Sequence, residues 1–510
     1  MAHPGFYVRR FALPYPPTKY RSHKLMDNRL SGEILVASRI VDYLSSGLYE
    51  SPAACLKELV NNAYDADAKL VELFVKPDAN RIIVTDDGTG MDSQDFKRNF
   101  SKISESFKRE STDRTESSRP KIGKIGIGFI AANEICDIMQ IISTKKGSRE
   151  KIDIEINFKA MRMPDEERKR PGDSFTKADY EGTVSQAHPD EHYTHIFLKE
   201  VRGPAQELLA GARNRGESKS LYGLSPKTIA QRLRDPNLRS WEDFDFYSQT
   251  MLEVALNVPV PYVDHWATKK YDEVLSSFTN RANSLDFRVV FDGTELRKPT
   301  LFEESDESFV KTFQYEGKDV SFESYFYVQH GVLKPQDLNG VLIRIRNSAV
   351  GKYERSFLGF PSSIGTLFQR WLSVEIWADD RLESAMNIDR KTLRVTHPAY
   401  LELVDAFHVQ LRAALNEARE KLYEQPSRKK KRIRYKQELD IIKEVSEAAR
   451  TSVSSVTADQ MSAEQNHRVL LKKYSAIELI EIVLDVSKRT LSAKERKLLM
   501  DELVREVLSK

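Results

Sequence analysis

The 510-residue chain has only two cysteines, Cys55 and Cys136, both in apolar helical surroundings. That excludes a disulfide scaffold and a cysteine-ligated zinc site. The 10 histidines form no spaced ligand set, which argues against a transition-metal centre. No apolar run approaches the length of a bilayer span, and the first residues lack a signal peptide's apolar core. The expected location is therefore the cytoplasm, or the nucleus in a eukaryote, with no membrane partner. An excess of one charge is also missing: 79 Lys and Arg face 76 Asp and Glu, for a net +3. Such balance does not by itself imply nucleic acid. No GxxxxGK[ST] occurs either, so a nucleotide would have to be held without a P-loop. What remains is a strongly charged chain long enough for two or three domains.

Three short stretches carry chemistry. Ala53–Val60 is apolar at helical spacing, with Pro52 suited to a first turn and Ser51 to a cap. On that helix Glu58 and Asn62 stand four apart and share a face. Asn62 offers a neutral oxygen, which suits Mg2+ that keeps water and phosphate oxygens as its other ligands. Glu58, one turn away, is placed to polarise an attacking water. The second stretch, Arg81–Thr85, is a β-branched strand running into Asp86-Asp87-Gly88-Thr89-Gly90-Met91. A carboxylate at such a strand end can accept from the exocyclic amine of adenine. In the third, Gly123, Gly126 and Gly128 form GxxGxG ahead of Phe129–Ala132. Successive amides at a helix start make an anion site. Phosphate binding would rest on those amides and on Lys121 or Lys124.

Together the three stretches resemble the GHKL ATPases: gyrase B subunits, heat-shock-ninety chaperones, histidine kinases and MutL, with MORC proteins close by. The resemblance covers roughly residues 30–200 and implies a Bergerat ATP-binding fold, an α/β sandwich, with ATP and Mg2+ as ligands. It implies that Glu58 is the general base, Asn62 the magnesium ligand and Asp86 the adenine acceptor. Further nucleotide contacts implied are Asp65, Gly88, Gly90, Met91, Gly123, Lys124, Ile125, Gly126, Ile127, Gly128 and Phe129. The family's fourth motif, a Thr opening a late strand, is matched by Thr194 in Tyr193–Glu200. Between the second and third motifs, Phe100–Arg119 is polar and charged, as a lid would be. There Ser104, Ser106 and Lys108 resemble the Ser/Lys pattern of MORC-like members.

The expected organisation is an N-terminal arm over 1–30, a GHKL ATPase domain over 31–200 with its lid at about 98–122, and a mixed connecting segment over 201–284. A transducer or middle-like α/β domain over 285–400 and a helical region over 401–510 follow. Strands are expected at Phe287–Gly293, Phe322–Val328 and Gly340–Arg346, and a helix at Ala399–Tyr423. Amphipathic helices are expected at Tyr474–Val486 and Ala493–Leu508. In clamp-type relatives the middle domain delivers a cation to the terminal phosphate. Asn387–Lys391 is similar to that segment, which makes Arg390 and then Lys391 the candidates, with Lys352 third. Arg428–Lys436, seven basic residues in nine, reads either as a DNA contact or nuclear address, or as a solvated hinge.

The leading function is an ATP-hydrolysing clamp, a homodimer closed by ATP, whose client is DNA or protein. In related members an N-terminal arm crosses to the partner subunit. A nucleotide-gated binding or scaffold module with little turnover, for instance in bacterial phage defence, is the alternative. A histidine-kinase phosphotransferase is disfavoured by domain order. Strand passage and a MutL-type nuclease are disfavoured because no acidic or His/Glu metal motif follows residue 400.

Overall fold

The structure, a computed structural model, describes residues 51–424 except 76–79, 101–113, 116, 118, 124–130, 163–179, 211–218, 303–304, 306, 362–368 and 388–389, and four isolated positions near the end. Helix α1, Pro52–Asp65, begins as its sequence dictates: Ser51 caps it by accepting from the Ala54 amide, and Pro52 fills the first turn. It is followed by strands β1, Leu70–Phe74, and β2, Ile82–Asp86, and by helix α2, Ser93–Phe100. Strands β3, Cys136–Thr144, β4, Glu150–Asn157, β5, Tyr180–Gln186, and β6, Tyr193–Val201, come next. Four helices follow: α3 Gly203–Ala210, α4 Pro226–Leu233, α5 Phe246–Asn257 and α6 Ser276–Asn283.

The first sheet has eight strands in the order β5-β4-β3-β6-β2-β1-β7-β8, where β7 is Arg288–Phe291 and β8 Thr294–Glu295. The strand expected to open the second unit thus completes the first sheet, pairing parallel to β1 from Leu70↔Arg288 onward. Its alternation suits this place, since Val289 and Phe291 are buried in the same core as Val71 and Leu73. Ile82 and Val84 of β2, Met139 and Ile141 of β3 and Ile196 and Leu198 of β6 complete that core beneath α1. Helix α5 packs against α1, which joins the connecting segment to the site.

The second sheet has five strands in the order β12-β11-β13-β10-β9. These are β9 Ser308–Glu316, β10 Ser321–Gln329, β11 Gly340–Ile345, β12 Ser348–Glu354 and β13 Leu372–Ala378. Strand β10 shows why the sheet is covered on both faces. Phe322, Phe326 and Val328 pack beneath helix α7, Pro398–Ala418, while Tyr325 and Tyr327 enter the first core. Aromatic rings seal that second contact: Tyr327 stacks on Phe302 at 3.9 Å, and Trp266 on Tyr262 at 4.4 Å. Among the described residues no helix is long and apolar enough to cross a membrane.

Candidate functional site

The site grows out of the core face of the first sheet. Ile82, Val84 and Asp86 share one face of β2, and Thr194, Ile196 and Leu198 share the matching face of β6. Register puts Asp86 opposite Thr194, and Thr194 opposite Ser143 of β3. Three adjacent apolar rows therefore end in a polar row: carboxylate, hydroxyl, hydroxyl. Its two hydroxyls are wired together. Ser143 Oγ lies 3.2 Å from Thr194 Oγ1, donates to the Tyr193 carbonyl at 2.7 Å, and accepts from the Met91 amide at 2.9 Å. Asp86 Oδ1 accepts from the Gly88 amide at 2.9 Å. Burial raises the Asp86 carboxyl to about 7; the Gly88 amide opposes the rise and the Asp87 charge adds to it.

The turn after Asp86 is fixed by backbone crowding. Gly90 sits at φ +69°, and a Cβ there would fall 1.7 Å from the Thr144 carbonyl oxygen. The Thr89 amide donates to the Ala66 carbonyl at 2.7 Å, which pins the turn to the end of α1. His192 Nδ1 lies 2.8 Å from the Gly88 carbonyl and braces it from the other side.

Helix α1 supplies Glu58, which is 8% exposed, and the half-buried Asn62 one turn on. Asp65, at its end, accepts from the amides of Ile122 at 2.6 Å and Gly123 at 2.7 Å. Its carboxylate therefore holds the approach to the glycine loop against the helix that bears Glu58. Asp67 accepts from the Ser117 amide at 2.9 Å, and Arg119 donates to the carbonyls of Ala68 and Asp286 at 2.6 and 2.9 Å. The end of the proposed lid is thus tied to the same corner. Of the glycine-loop candidates, Lys121 and Gly123 lie within this anchored segment. Lys124, Ile125, Gly126, Ile127, Gly128 and Phe129 lie outside the described residues, as do Ser104, Ser106, Lys108, the arm over 1–30 and the basic run Arg428–Lys436.

The second unit reaches the same helix. Lys57, beside Glu58, is buried and donates to Asn257 Oδ1 at 3.4 Å and to the Ala349 carbonyl at 3.3 Å. Burial lowers its ammonium to about 8; Glu58 opposes this, while Arg390 and Lys391 are near enough to push further down. Arg390 and Lys391 are half-buried. Arg390 also borders a cavity of about 530 Å³ with Asn387, Glu383, Ser384 and His397. Lys352 instead pairs with Glu253 at 3.0 Å on the surface.

Lys57, Ser143 and His192 belong to none of the sequence motifs. Lys57 had one available signal, a charge inside the apolar text of a helix.

An Asn carboxamide, a neighbouring Glu and a polar row ending in a carboxylate make a donor set that fits a Mg2+–nucleotide. The Asn62 carboxamide has a hard neutral oxygen of the kind such an ion accepts. Residues 49–194 match the family described as histidine kinase-, DNA gyrase B-, and HSP90-like ATPase. The chain is 35% identical over 115 residues to the putative type II restriction enzyme HgiDII of Herpetosiphon aurantiacus, covering 22% of this chain and 18% of that one. It is 28% identical over 136 residues to the chaperone protein HtpG of Vesicomyosocius okutanii, covering 22% of each. With HtpG of Methylobacterium sp. (strain 4-46) it shares 31% over 137 residues, again 22% of each. The matched part spans about a fifth of the length of these curated relatives.

Proposed function

We propose that this protein, whose residues 49–194 match the histidine kinase-, DNA gyrase B- and HSP90-like ATPases, is an ATP-binding and ATP-hydrolysing clamp. The observation that carries the reading is the polar row Asp86–Thr194–Ser143, which ends the sheet face packed beneath α1, the helix that bears Glu58 and Asn62. Asp86 accepts the adenine amino group, and Thr194 and Ser143 hold polar atoms beside it. The amides of Ile122 and Gly123 are committed to Asp65, so the phosphates are left to Lys121 and to amides further along the glycine loop. Mg2+, held through Asn62, would neutralise charge on the phosphate oxygens. Glu58 orients and polarises the attacking water, and its shielded position strengthens that interaction. Arg390 or Lys391, whose field already reaches Lys57, supplies the cation from the second unit.

In this reading ATP binding brings two copies together through their N-terminal domains, and hydrolysis releases them. A macromolecular client follows from the clamp. The name of the restriction-enzyme relative and the basic run Arg428–Lys436 support DNA, and the HtpG relatives support protein. The test is ATP turnover by wild type and Glu58→Ala with and without duplex DNA, while molecular mass is followed in solution. Turnover lost in Glu58→Ala with an ATP-bound dimer accumulating is expected, and stimulation by DNA selects the DNA client. ATP binding with neither turnover nor a change of mass overturns the clamp in favour of a nucleotide-gated binding module.

A further inference from the structure

Strands β11 and β12 meet in a tight hairpin whose tip, Arg346-Asn347, holds positive φ at both residues, 53° and 66°. This tip is inserted between the two units. Ser348 Oγ donates to the Asn257 carbonyl at 2.9 Å, Lys57 reaches the Ala349 carbonyl, and Lys298, fully buried, donates to the Asn347 carbonyl at 3.3 Å. The foremost side chain is Arg346, 3% exposed. One arm of its guanidinium donates to the Lys121 carbonyl, two residues before Gly123. Its Nε lies 2.7 Å from Asp380 Oδ1 and its Nη2 lies 3.1 Å from Glu383 Oε2. Both carboxylates sit on the 3-10 turn Asp380–Ala385.

That turn leads directly into the segment bearing the two candidate cations. A bridge between Met386 and Leu393 closes it, the Asn387 amide donates to the Thr392 carbonyl at 3.0 Å, and Asn387 Nδ2 donates to Thr392 Oγ1 at 2.8 Å. The closed segment lies hard against β12, where Gly351, at φ +75°, leaves room: a Cβ there would fall 2.5 Å from the Lys391 carbonyl oxygen. One side chain therefore spans from the approach to the phosphate loop to the turn that leads into the segment bearing Arg390 and Lys391. We propose that Arg346 is a positioning residue that couples the phosphate loop to the placement of the second unit's cations. This rests on the ATPase reading above. A forked guanidinium suits the task, because it hydrogen-bonds a carbonyl and the Asp380 carboxylate while its charge also faces Glu383. Asp65 holds Ile122 and Gly123 independently of it. Loss of Arg346 therefore leaves Ile122 and Gly123 held for binding ATP and frees the turn that precedes the cation-bearing segment.

The test compares steady-state ATP hydrolysis by full-length wild type, Arg346→Ala, Arg346→Lys, the double variant Arg390→Ala/Lys391→Ala, and that double variant combined with Arg346→Ala. Misplacing a group that must meet the phosphate costs kcat far more than binding, so Arg346→Ala is expected to lose about tenfold or more in kcat with KM within about threefold. Arg346→Lys restores part of the rate, and in the double-variant background Arg346→Ala costs nothing further. Losses that simply multiply, or a raised KM with kcat intact, overturn the coupling while leaving the ATPase reading standing. Unaltered kinetics in Arg346→Ala do the same. A wild type without ATP turnover overturns both. If Arg346→Ala fails to fold, Arg346→Gln/Glu383→Gln removes the opposed charges together, and the same non-additivity is read from it.

Discussion

Asp86 is the residue at which stability and binding should separate. Its carboxyl titrates at about 7 because burial outweighs the Gly88 amide bond, and the Asp87 charge adds to the rise. A folded-state value above the ordinary 3.8 means that the folded protein binds this proton more tightly than the unfolded chain. The contribution is therefore fully favourable below pH 3.8, declines as pH rises from there through about 7, and is a constant penalty above. Across that interval the linkage is worth at most about 4 kcal/mol, and roughly half that for a carboxyl with partial access to water. Asp86→Asn keeps an oxygen for the Gly88 amide and removes the charge. At pH 8 it should melt several degrees above wild type, since about 1 kcal/mol moves a domain of this size by about 2–4 °C. The same change weakens ATP binding by about tenfold or more, because a charged acceptor becomes a neutral amide. In wild type the protonated carboxyl predominates one pH unit below 7, so affinity should fall by up to about tenfold between pH 8 and pH 6, while Asp86→Asn stays flat. Calorimetric melting and fluorescent-nucleotide titration over this range read both effects. An Asp86→Asn protein that binds ATP as wild type does would refute the assignment. One that melts lower at pH 8 would refute the electrostatics.

Gly90→Ala drives a Cβ into the Thr144 carbonyl at a φ of +69°. A cost of roughly 2–4 kcal/mol and loss of nucleotide binding are expected, and urea unfolding with the same titration checks both. Arg344→Met tests the junction of the two units. There Glu375 is fully buried, 2.5 Å from Arg344 Nε, and accepts from Tyr262 at 2.7 Å, Tyr353 at 2.7 Å and Thr300 at 3.1 Å. Burial alone would raise this carboxyl, yet Arg344 and the hydroxyl donors hold it at about 2. Its stabilising contribution is present above the ordinary 4.5 and fades as pH falls toward about 2. Removing the guanidinium strands a buried charge at a cost of about 3–5 kcal/mol. An Arg344→Met protein as stable as wild type in urea at pH 7 would count against the network.

Helix α1 was legible because three independent signals coincide over Ser51–Asp65: a cap, a proline in the first turn and helical apolar spacing. Strand β2 was legible because β-branched text ends abruptly in Asp-Gly. The parallel pairing of β1 with β7 was not, since the partners are more than 200 residues apart and nothing local to either strand specifies it. Ser143 stands at the end of an apolar alternation, where a polar residue reads as an ordinary strand terminus. Only register places it beside Thr194.

The cations that join the two units look like surface residues in the text, yet one of their patterns carries information. Leu342 and Arg344 are spaced by two along β11 and share a face, with Arg346 on the turn just past its end, while Ile343 and Ile345 point the other way into the core beneath α7. A solvated edge would put its charges opposite the apolar face and leave no apolar residue among them. Here Leu342 is fully buried in the first core and Arg344 is fully buried beside it. A charged row that begins with a core leucine must be covered, and buried arginines must be paired. Such a row therefore predicts acidic or carbonyl partners on whatever packs against it. Arg344 meets that demand with Glu375 and the Leu256 carbonyl within the fold. Arg346, on the turn past the strand, meets it with Asp380, Glu383 and the Lys121 carbonyl. The strand whose alternation buries Arg344 thus delivers Arg346, on the turn that follows it, to the approach of the glycine loop.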